Sequence, residues 1–177
     1  ELKSLTTGVD HLKQIVARQQ DHARFKAMIE PVELAPLLEE AVRPKRELLA
    51  ADGIRVVTAY EQIPPASADK HKTLQILINL VNNAVDALRS APTPNGGREL
   101  QFGLRPGRTG HVLVTVTDNG VGIAPEHRAK IFGFGFTTKT DGHGFGLHGA
   151  ANDAKSMGGS LQVDSAGPGA GATFTLE

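Results

Sequence analysis

The residues of this chain that could carry chemistry lie in four short segments, and the most informative is the glycine-rich stretch from Gly142 to Gly149. Glycine occupies every second position from Gly142 to Gly146, and an apolar-spaced run to Met157 follows. This pattern indicates a flexible loop that leads into a helix N-terminus. Glycines allow close approach to a ligand, and a helix N-terminus presents free N–H groups at its positive end. The stretch could therefore bind an anion such as phosphate, although a surface loop without a ligand has the same pattern.

Three polar side chains form a line along an otherwise apolar helix that Ser67 or Asp69 could cap. Asn79, Asn83 and Asp86 are separated by four and three residues, which places them on one helix face. Amide and carboxylate oxygens are ligands that Mg²⁺ takes, and bound Mg²⁺ commonly bridges to nucleotide phosphates. The line therefore predicts a cation site, with buried amides bonded to backbone groups as the alternative.

A carboxylate at the end of a predicted strand is the next candidate. The alternating residues 112–116 run into Asp118, and Gly120 and Gly122 follow. This carboxylate could accept a hydrogen bond from an exocyclic amine such as that of adenine, and the glycines would let a flat base lie against the backbone. A hairpin turn is the alternative, because Asn119-Gly120 is a strong turn signal.

The fourth segment, residues 131–139, combines aromatic, hydroxyl and basic side chains with glycine. Its aromatic rings could anchor a mobile cover when it closes, and the side chains that follow could reach phosphate oxygens or simply be solvated. The residues concerned are Phe132, Phe134, Phe136, Thr137, Thr138 and Lys139. Periodicity fails between about 121 and 146, which is typical of a functional loop. We call residues 124–145 the lid.

The elements that must position these segments follow from periodicity and turn signals. After an N-terminal helix, the order is α-β-α-β-β-lid-α-β-β, which predicts a sheet with helices on one face. The predicted helices are 2–25, 34–42, one running from about 69 to 88, and 147–157; the strands are 54–60, 100–104, 112–116, 161–163 and 174–176.

Composition narrows the function classes. The 177 residues carry 19 basic and 19 acidic side chains, so no positive field favours nucleic acid. The absence of cysteine excludes disulfides and thiolate catalysis. No apolar run approaches the roughly 18 residues of a membrane span, so no membrane contact is expected. The chain begins at Glu1 without methionine or a signal peptide, and we expect it to be part of a longer protein.

The N-terminal segment has the spacing of a coiled-coil seam. Leu2, Leu5, Val9, Leu12 and Val16 step by three and four residues, ending before Pro31. A helix with such a seam needs a partner, either within its own domain or outside the chain; we expect a partner helix outside it.

Taken together, the four segments resemble the ATP-binding domain of sensor histidine kinases, in the superfamily shared with type II topoisomerases, MutL and a heat-shock chaperone. Residues 79–87 resemble its N-box, 118–122 its first glycine box, 132–139 its F-box and 142–147 its second glycine box. Residues 171–174 resemble its closing strand, and the resemblance covers 32–177.

The resemblance implies an α+β fold of the Bergerat type, a two-layer sandwich with a mixed sheet. It divides the chain into a dimerisation-hairpin second helix (1–30) and a catalytic ATP-binding domain (31–177). The implied reaction transfers the γ-phosphate of ATP, with Mg²⁺, to a histidine outside this chain, since His11 and His22 have no acceptor motif around them. The implied partners are the phosphoacceptor helix, a second copy of the full-length kinase and a response regulator or receiver domain, in the cytoplasm.

The resemblance also implies roles for individual residues. Asn79, Asn83 and Lys139 are expected in catalysis, with Asn83 as the Mg²⁺ ligand and Asp118 on the adenine amine. The residues expected to contact ATP are Asn83, Asp86, Asp118, Gly120, Gly122, Ile123, Phe136, Thr137, Thr138, Lys139, Gly142, His143, Gly144, Phe145, Gly146, Leu147, His148 and Thr173.

Other functions share parts of this sequence pattern. An ATP hydrolase of the same superfamily would carry a Glu where Asn79 stands, and an amide cannot act as a general base. A non-catalytic ATP-sensing or partner-binding module is a further alternative. Residues 144–149 satisfy G-x-G-x-x-G, but the strand that a dinucleotide site requires is absent. A P-loop motif is missing, and His143 with His148 lack further metal ligands.

Overall fold

The described part of the chain consists of residues 28–94, 96–108, 110–139 and 142–177 in a computed structural model. Its elements, in chain order, are β1 (Ile29–Val32), α1 (Leu34–Val42), a 3₁₀ turn (Arg43–Lys45), α2 (Arg46–Ala51), β2 (Ile54–Tyr60), β3 (Ala66–Asp69), α3 (Lys70–Ser90), β4 (Arg98–Pro106), β5 (Val112–Asp118), α4 (Pro125–Arg128), α5 (Gly146–Ser156), β6 (Leu161–Asp164) and β7 (Ala172–Leu176). The helix predicted for residues 2–25 lies outside these residues.

The main sheet has five strands in the order β2-β4-β5-β7-β6. β2 pairs with β4 in parallel, and the remaining neighbours pair antiparallel. Alternate residues of β4, β5 and β7 are buried, as expected where helices cover one face. The predicted α+β fold with a mixed sheet is therefore confirmed.

The central helix α3 forms because its sequence provides a cap, an apolar face and a stop. The Asp69 side chain accepts a hydrogen bond from the Lys72 amide (3.0 Å), as an N-cap does. Pro92, just beyond the C-cap residue Ala91, cannot continue the helix. The buried face includes Ile76, Leu77, Leu80, Val81, Ala84, Val85 and Leu88, and burying a side chain of the Val, Leu or Ile type contributes about 1.5–3 kcal/mol.

A small antiparallel ribbon of β1 and β3 was not predicted from the sequence. Ile29 pairs with Asp69 and Val32 with Ala66. Pro31 and the polar Ser67 obscured two strands of only four residues each. Ile29 and Glu30 belong to this ribbon, so we propose that the catalytic domain includes them, while the boundary at residue 31 stays a prediction.

The lid contains one helical turn, α4, where the sequence predicted little regular structure. Pro125 occupies the first helical position, which proline favours. Within the described ranges, each helix is too short or too polar to span a bilayer.

Candidate functional site

An open cleft of about 2040 Å³ lies between α3, the lid and the first turn of α5. Every residue that the sequence assigned to the site lines it, except Gly120 and Thr173. Ligand pockets usually measure about 300–1,000 Å³. This cleft is larger because it stays open to solvent and continues along α3 to its first turn, where Lys70 and His71 line it.

Asp118 lies at the end of β5 with its side chain on the covered face of the sheet, only 4% exposed, and it also lines the cleft. Burial raises the pKa of its carboxyl to about 6, although hydrogen bonds from the Gly120 and Ala172 amides act in the opposite direction. The Gly120 amide donates to Oδ1 at 2.9 Å. The result is a fixed, poorly hydrated hydrogen-bond acceptor that a ligand amine could satisfy.

The floor beside Asp118 is made by two interlocked loops, residues 119–123 and 165–171. The Gly169 amide donates to the Val121 carbonyl (2.7 Å), and the Gly171 amide donates to the Gly120 carbonyl (3.2 Å). Gly120 itself contacts the Ala87 carbonyl, where a Cβ would lie 2.6 Å from the oxygen. Gly120 thus packs against α3, and for this reason it does not line the cleft.

Ser165, which the sequence did not single out, connects these loops. Its buried hydroxyl accepts from the Ile123 amide (3.0 Å) and the Gly167 amide (3.3 Å), and it donates to the Gly171 carbonyl (2.6 Å). The only sequence signal for this role is the glycine-rich segment that follows Ser165, which indicates a loop.

We expect Ser165→Ala to lower the free energy of unfolding by about 1–3 kcal/mol, because it leaves buried backbone groups without partners. Nucleotide affinity should fall with it, since Ile123 lines the cleft. Denaturant unfolding and calorimetric titration measure the two effects. Ser160→Ala is the matched control, because the Ser160 hydroxyl makes one long contact, 3.4 Å from Glu177. Equal stability and affinity in both variants would remove Ser165 from this role.

Thr173 is the one residue that the structure moves to the opposite side of the sheet from Asp118. It pairs with Thr117, and their hydroxyl oxygens lie 3.0 Å apart. Asp118 pairs instead with Ala172, and paired residues share a face of the sheet. The assignment of Thr173 to the nucleotide site was therefore wrong by one residue, and Ala172 takes that position in the cleft.

The polar line of α3 meets the lid at Lys139. The Lys139 ammonium donates to Asn83 Oδ1 (3.0 Å) and Asp86 Oδ2 (2.6 Å). The oxygens predicted to hold a cation thus already bind a positive group, and their chemistry fits Mg²⁺. Asn79 has a different contact, because its Nδ2 donates to the Gly146 carbonyl (3.3 Å) and so connects α3 to the start of α5.

The first turn of α5 opens into the cleft without a side-chain cap. Phe145 is the N-cap residue and makes no capping hydrogen bond with its side chain. The N–H groups at the start of a helix have no intrahelical acceptors, so Gly146 and Leu147 present donors at the positive end of the helix dipole. Gly144, at φ +69°, packs so tightly that a Cβ would lie 2.3 Å from the carbonyl carbon of Gly135 in the lid.

The aromatic residues of the lid face in different directions. Phe136 contacts the His127 ring with 5.3 Å between centroids, and both line the cleft. Phe134 is 68% exposed and contacts Phe145 (4.8 Å) and His148 (5.5 Å). Both ring nitrogens of His148, expected to contact phosphate, are hydrogen-bonded within the protein.

Comparison with known proteins places this geometry in a family. Residues 68–177 match the family described as "Histidine kinase-, DNA gyrase B-, and HSP90-like ATPase". The sensor histidine kinase ZraS of Salmonella typhimurium is 38% identical over 119 residues, covering 67% of this chain and 24% of that protein. ZraS of Salmonella typhi is 32% identical over 183 aligned positions, covering 96% and 38%. The chain thus spans well under half the length of these relatives.

Solved structures agree with this match. The crystal structure of full-length ShkA in complex with AMPPNP has a TM-score of 0.76 and 28% identity, covering 98% of this chain and 37% of that one. The nucleotide-free catalytic domain of histidine kinase ThkA has a TM-score of 0.71 and 26% identity, covering 84% and 93%.

Proposed function

Because the chain belongs to the histidine kinase-, DNA gyrase B- and HSP90-like ATPase family and is an ATP-binding catalytic domain of the histidine-kinase type, we propose that it transfers the γ-phosphate of ATP to a histidine on a dimerisation helix. The observation that carries this proposal is the convergence, in one cleft, of a buried carboxylate, a cation-binding pair of oxygens and an uncapped helix N-terminus. Each suits a different part of ATP.

In this proposal, the adenine lies over the floor formed by Gly122 and Ile123, and its exocyclic amine donates to Asp118. A buried carboxylate that already accepts from the Gly120 amide on one oxygen can accept from the ligand on the cleft side. The tight floor leaves no room for side chains at Gly122, where a Cβ would lie 2.0 Å from the Gly167 carbonyl oxygen.

At the other end, the phosphates approach the first turn of α5. The amides of residues 144–147 donate to phosphate oxygens, as helix N-termini and glycine-rich loops do. Thr137, Thr138 and His143 line the same part of the cleft. The lid also carries Lys139, whose ammonium would contact the phosphates.

Asn83 would hold Mg²⁺, with Asp86 beside it, at the oxygens that now accept from Lys139. Bound Mg²⁺ neutralises phosphate charge and orients the leaving group. Because the Lys139 ammonium now occupies these oxygens, it and a metal ion would compete for them, and a displaced Lys139 would be free to pair with a phosphate. Asn79 acts on geometry, since it fixes the start of α5 relative to α3.

The transfer step needs positioning more than covalent chemistry from this domain. A histidine ring nitrogen forms a bond to the γ-phosphorus as the bond between that phosphorus and the β–γ bridging oxygen breaks, and ADP leaves. The acceptor helix, a second copy of the full-length kinase, and a response regulator or receiver domain are the proposed partners. A cytoplasmic location is proposed because ATP is available there.

The test supplies γ-labelled ATP and Mg²⁺ to this chain together with a longer segment of the parent protein that carries the acceptor helix and an Asp118→Asn replacement. We expect acid-labile label on the acceptor and none on this chain. Asn83→Ala should reduce the transfer at least about 10-fold, as loss of a ligand to a charged group does. Asn82→Ala is the matched control, because the neighbouring Asn82 does not line the cleft.

Two results would contradict the proposal. Label on this chain that disappears in His11→Ala or His22→Ala would place the acceptor within it. Steady ATP turnover faster than about 1 s⁻¹ without an acceptor, a typical enzyme rate, would make the chain a hydrolase.

A further inference from the structure

His148 occupies the third position of α5, directly after the amides that face the phosphates in the function proposed above. Its ring contacts two lid residues and one residue of its own helix. Nδ1 lies 2.9 Å from the Phe132 carbonyl oxygen, and Nε2 lies 3.0 Å from Nδ2 of Asn152. The Phe134 ring meets it nearly at a right angle, 5.5 Å between centroids.

These partners determine which ring nitrogen carries the proton. A carbonyl oxygen only accepts, so Nδ1 must donate to Phe132. In the amide orientation assigned to Asn152 the nitrogen faces Nε2, and since an amide nitrogen only donates, Nε2 accepts. Both requirements are met by one species, the neutral imidazole protonated at Nδ1, and neither nitrogen remains for a phosphate.

From this geometry we propose that His148 is a positioning residue that fastens residues 132–134 of the lid to the first turn of α5. The effect of this attachment on ATP binding rests on the proposed function, in which the same turn presents its amides to the phosphates. A lid attached there moves with the phosphate-binding turn and keeps Lys139 within reach of the cleft. The attachment itself exists without nucleotide.

The backbone contact makes the attachment independent of the side chain at position 132. Two amides on either side of this contact form hydrogen bonds within the lid. The Gly133 amide donates to the Lys130 carbonyl (2.8 Å), and the Phe136 amide donates to the Gly133 carbonyl (3.3 Å). Exchange of these two amides therefore reports whether the lid segment opens.

Three variants distinguish the loss of the hydrogen bond to Phe132 from the loss of the imidazole ring itself. Asparagine places an N–H close to where Nδ1 lies, so His148→Asn should keep the bond to Phe132. Glutamine places its N–H nearer the Nε2 position, so His148→Gln should lose that bond, as should His148→Ala. We expect exchange at Gly133 and Phe136 to be about 2- to 10-fold faster in the Gln and Ala variants and to remain within about 2-fold of the unchanged protein in the Asn variant.

The experiment uses the whole chain without nucleotide, with nitrogen-15 spectra of the histidine rings and hydrogen exchange of the backbone. We expect the His148 ring to give the spectrum of the Nδ1-protonated tautomer. Central-strand amides such as Val116 and Phe174 verify that each variant is folded, and His111→Gln, at the far end of the sheet, is the control for ring replacement.

An Nε2-protonated ring, or equal exchange in all three variants, would overturn the proposal. Titration with Mg²⁺ and a non-hydrolysable ATP analogue then follows, where the Gln and Ala variants should bind more weakly than the Asn variant. If no variant and not even the unchanged protein binds the analogue, the proposed function fails, while the tautomer and exchange results still decide the role of His148.

Discussion

Replacing Asp118 with asparagine is expected to weaken nucleotide binding by about 10- to 150-fold, because a hydrogen bond to a charged group is worth about 1.5–3 kcal/mol. The replacement is nearly isosteric, and its amide oxygen can still accept from the Gly120 amide. What changes is the acceptor that faces the cleft. Calorimetric titration with a non-hydrolysable ATP analogue measures the loss.

The same replacement should make the nucleotide-free protein more stable at neutral pH. Burial raises the pKa of Asp118 from 3.8 to about 6, so the folded state binds a proton more tightly than the unfolded state. The stability that this proton contributes is complete below about pH 4 and is lost as the pH rises to about 6. Two pKa units correspond to about 3 kcal/mol of stability. The Asn side chain cannot accept the hydrogen bond from the Ala172 amide with its NH₂ group, and this loss offsets part of the gain in stability. We expect a net gain of about 1–2 kcal/mol at pH 7–8.

Denaturant unfolding at several pH values measures this gain. The unchanged protein should lose stability relative to the Asn variant between about pH 4 and pH 6, and nucleotide affinity should rise over the same range as the carboxylate ionises. Asp164→Asn is the control, because the Asp164 side chain is 83% exposed on the other face of the sheet. Unchanged affinity in Asp118→Asn would remove the adenine assignment.

Replacing Gly122 with alanine is expected to have the largest effect on stability, lowering the free energy of unfolding by about 2–5 kcal/mol. Gly122 has φ +70°, and a Cβ there would lie 2.0 Å from the Gly167 carbonyl oxygen. Left-handed backbone costs an L-residue about 1–2 kcal/mol, and overpacking against a fixed backbone adds about 1–3 kcal/mol. The two loops of the floor would have to separate, so nucleotide binding should be lost as well.

Gly53 provides the matched control for this replacement. It has nearly the same backbone angle, φ +62°, but nothing lies within 4 Å of its Cβ position. Gly53→Ala should therefore lose only the conformational part, about 1–2 kcal/mol, and keep full nucleotide affinity. Thermal or denaturant unfolding compares the two. Equal losses at both positions would mean that the two loops of the floor can move apart to accommodate a side chain, which would contradict this prediction.

The local sequence determined most elements of this domain and the residues that meet in its cleft. The predicted strand 54–60 matches β2, and the strong apolar period of α3 placed its helix correctly within about two residues. Asn83, Asp118, Lys139 and the glycine-rich turn into α5 were identified because their chemistry is carried by residue type and short spacing. These predictions hold in the folded domain, because local helix and strand periods already determine which residues share a face.

Only the tertiary structure decided the features that depend on pairing between distant segments. The register of β5 against β7 placed Ala172 beside Asp118 and turned Thr173 away. The ribbon of β1 and β3 had no local signal, because 33 residues lie between Val32 and Ala66 in the sequence although the two strands pair in space. Ser165 and His148 acquired their roles from backbone groups brought to them by other loops. A strand shifted by one residue exchanges its two faces, and the local sequence period is the same in either register.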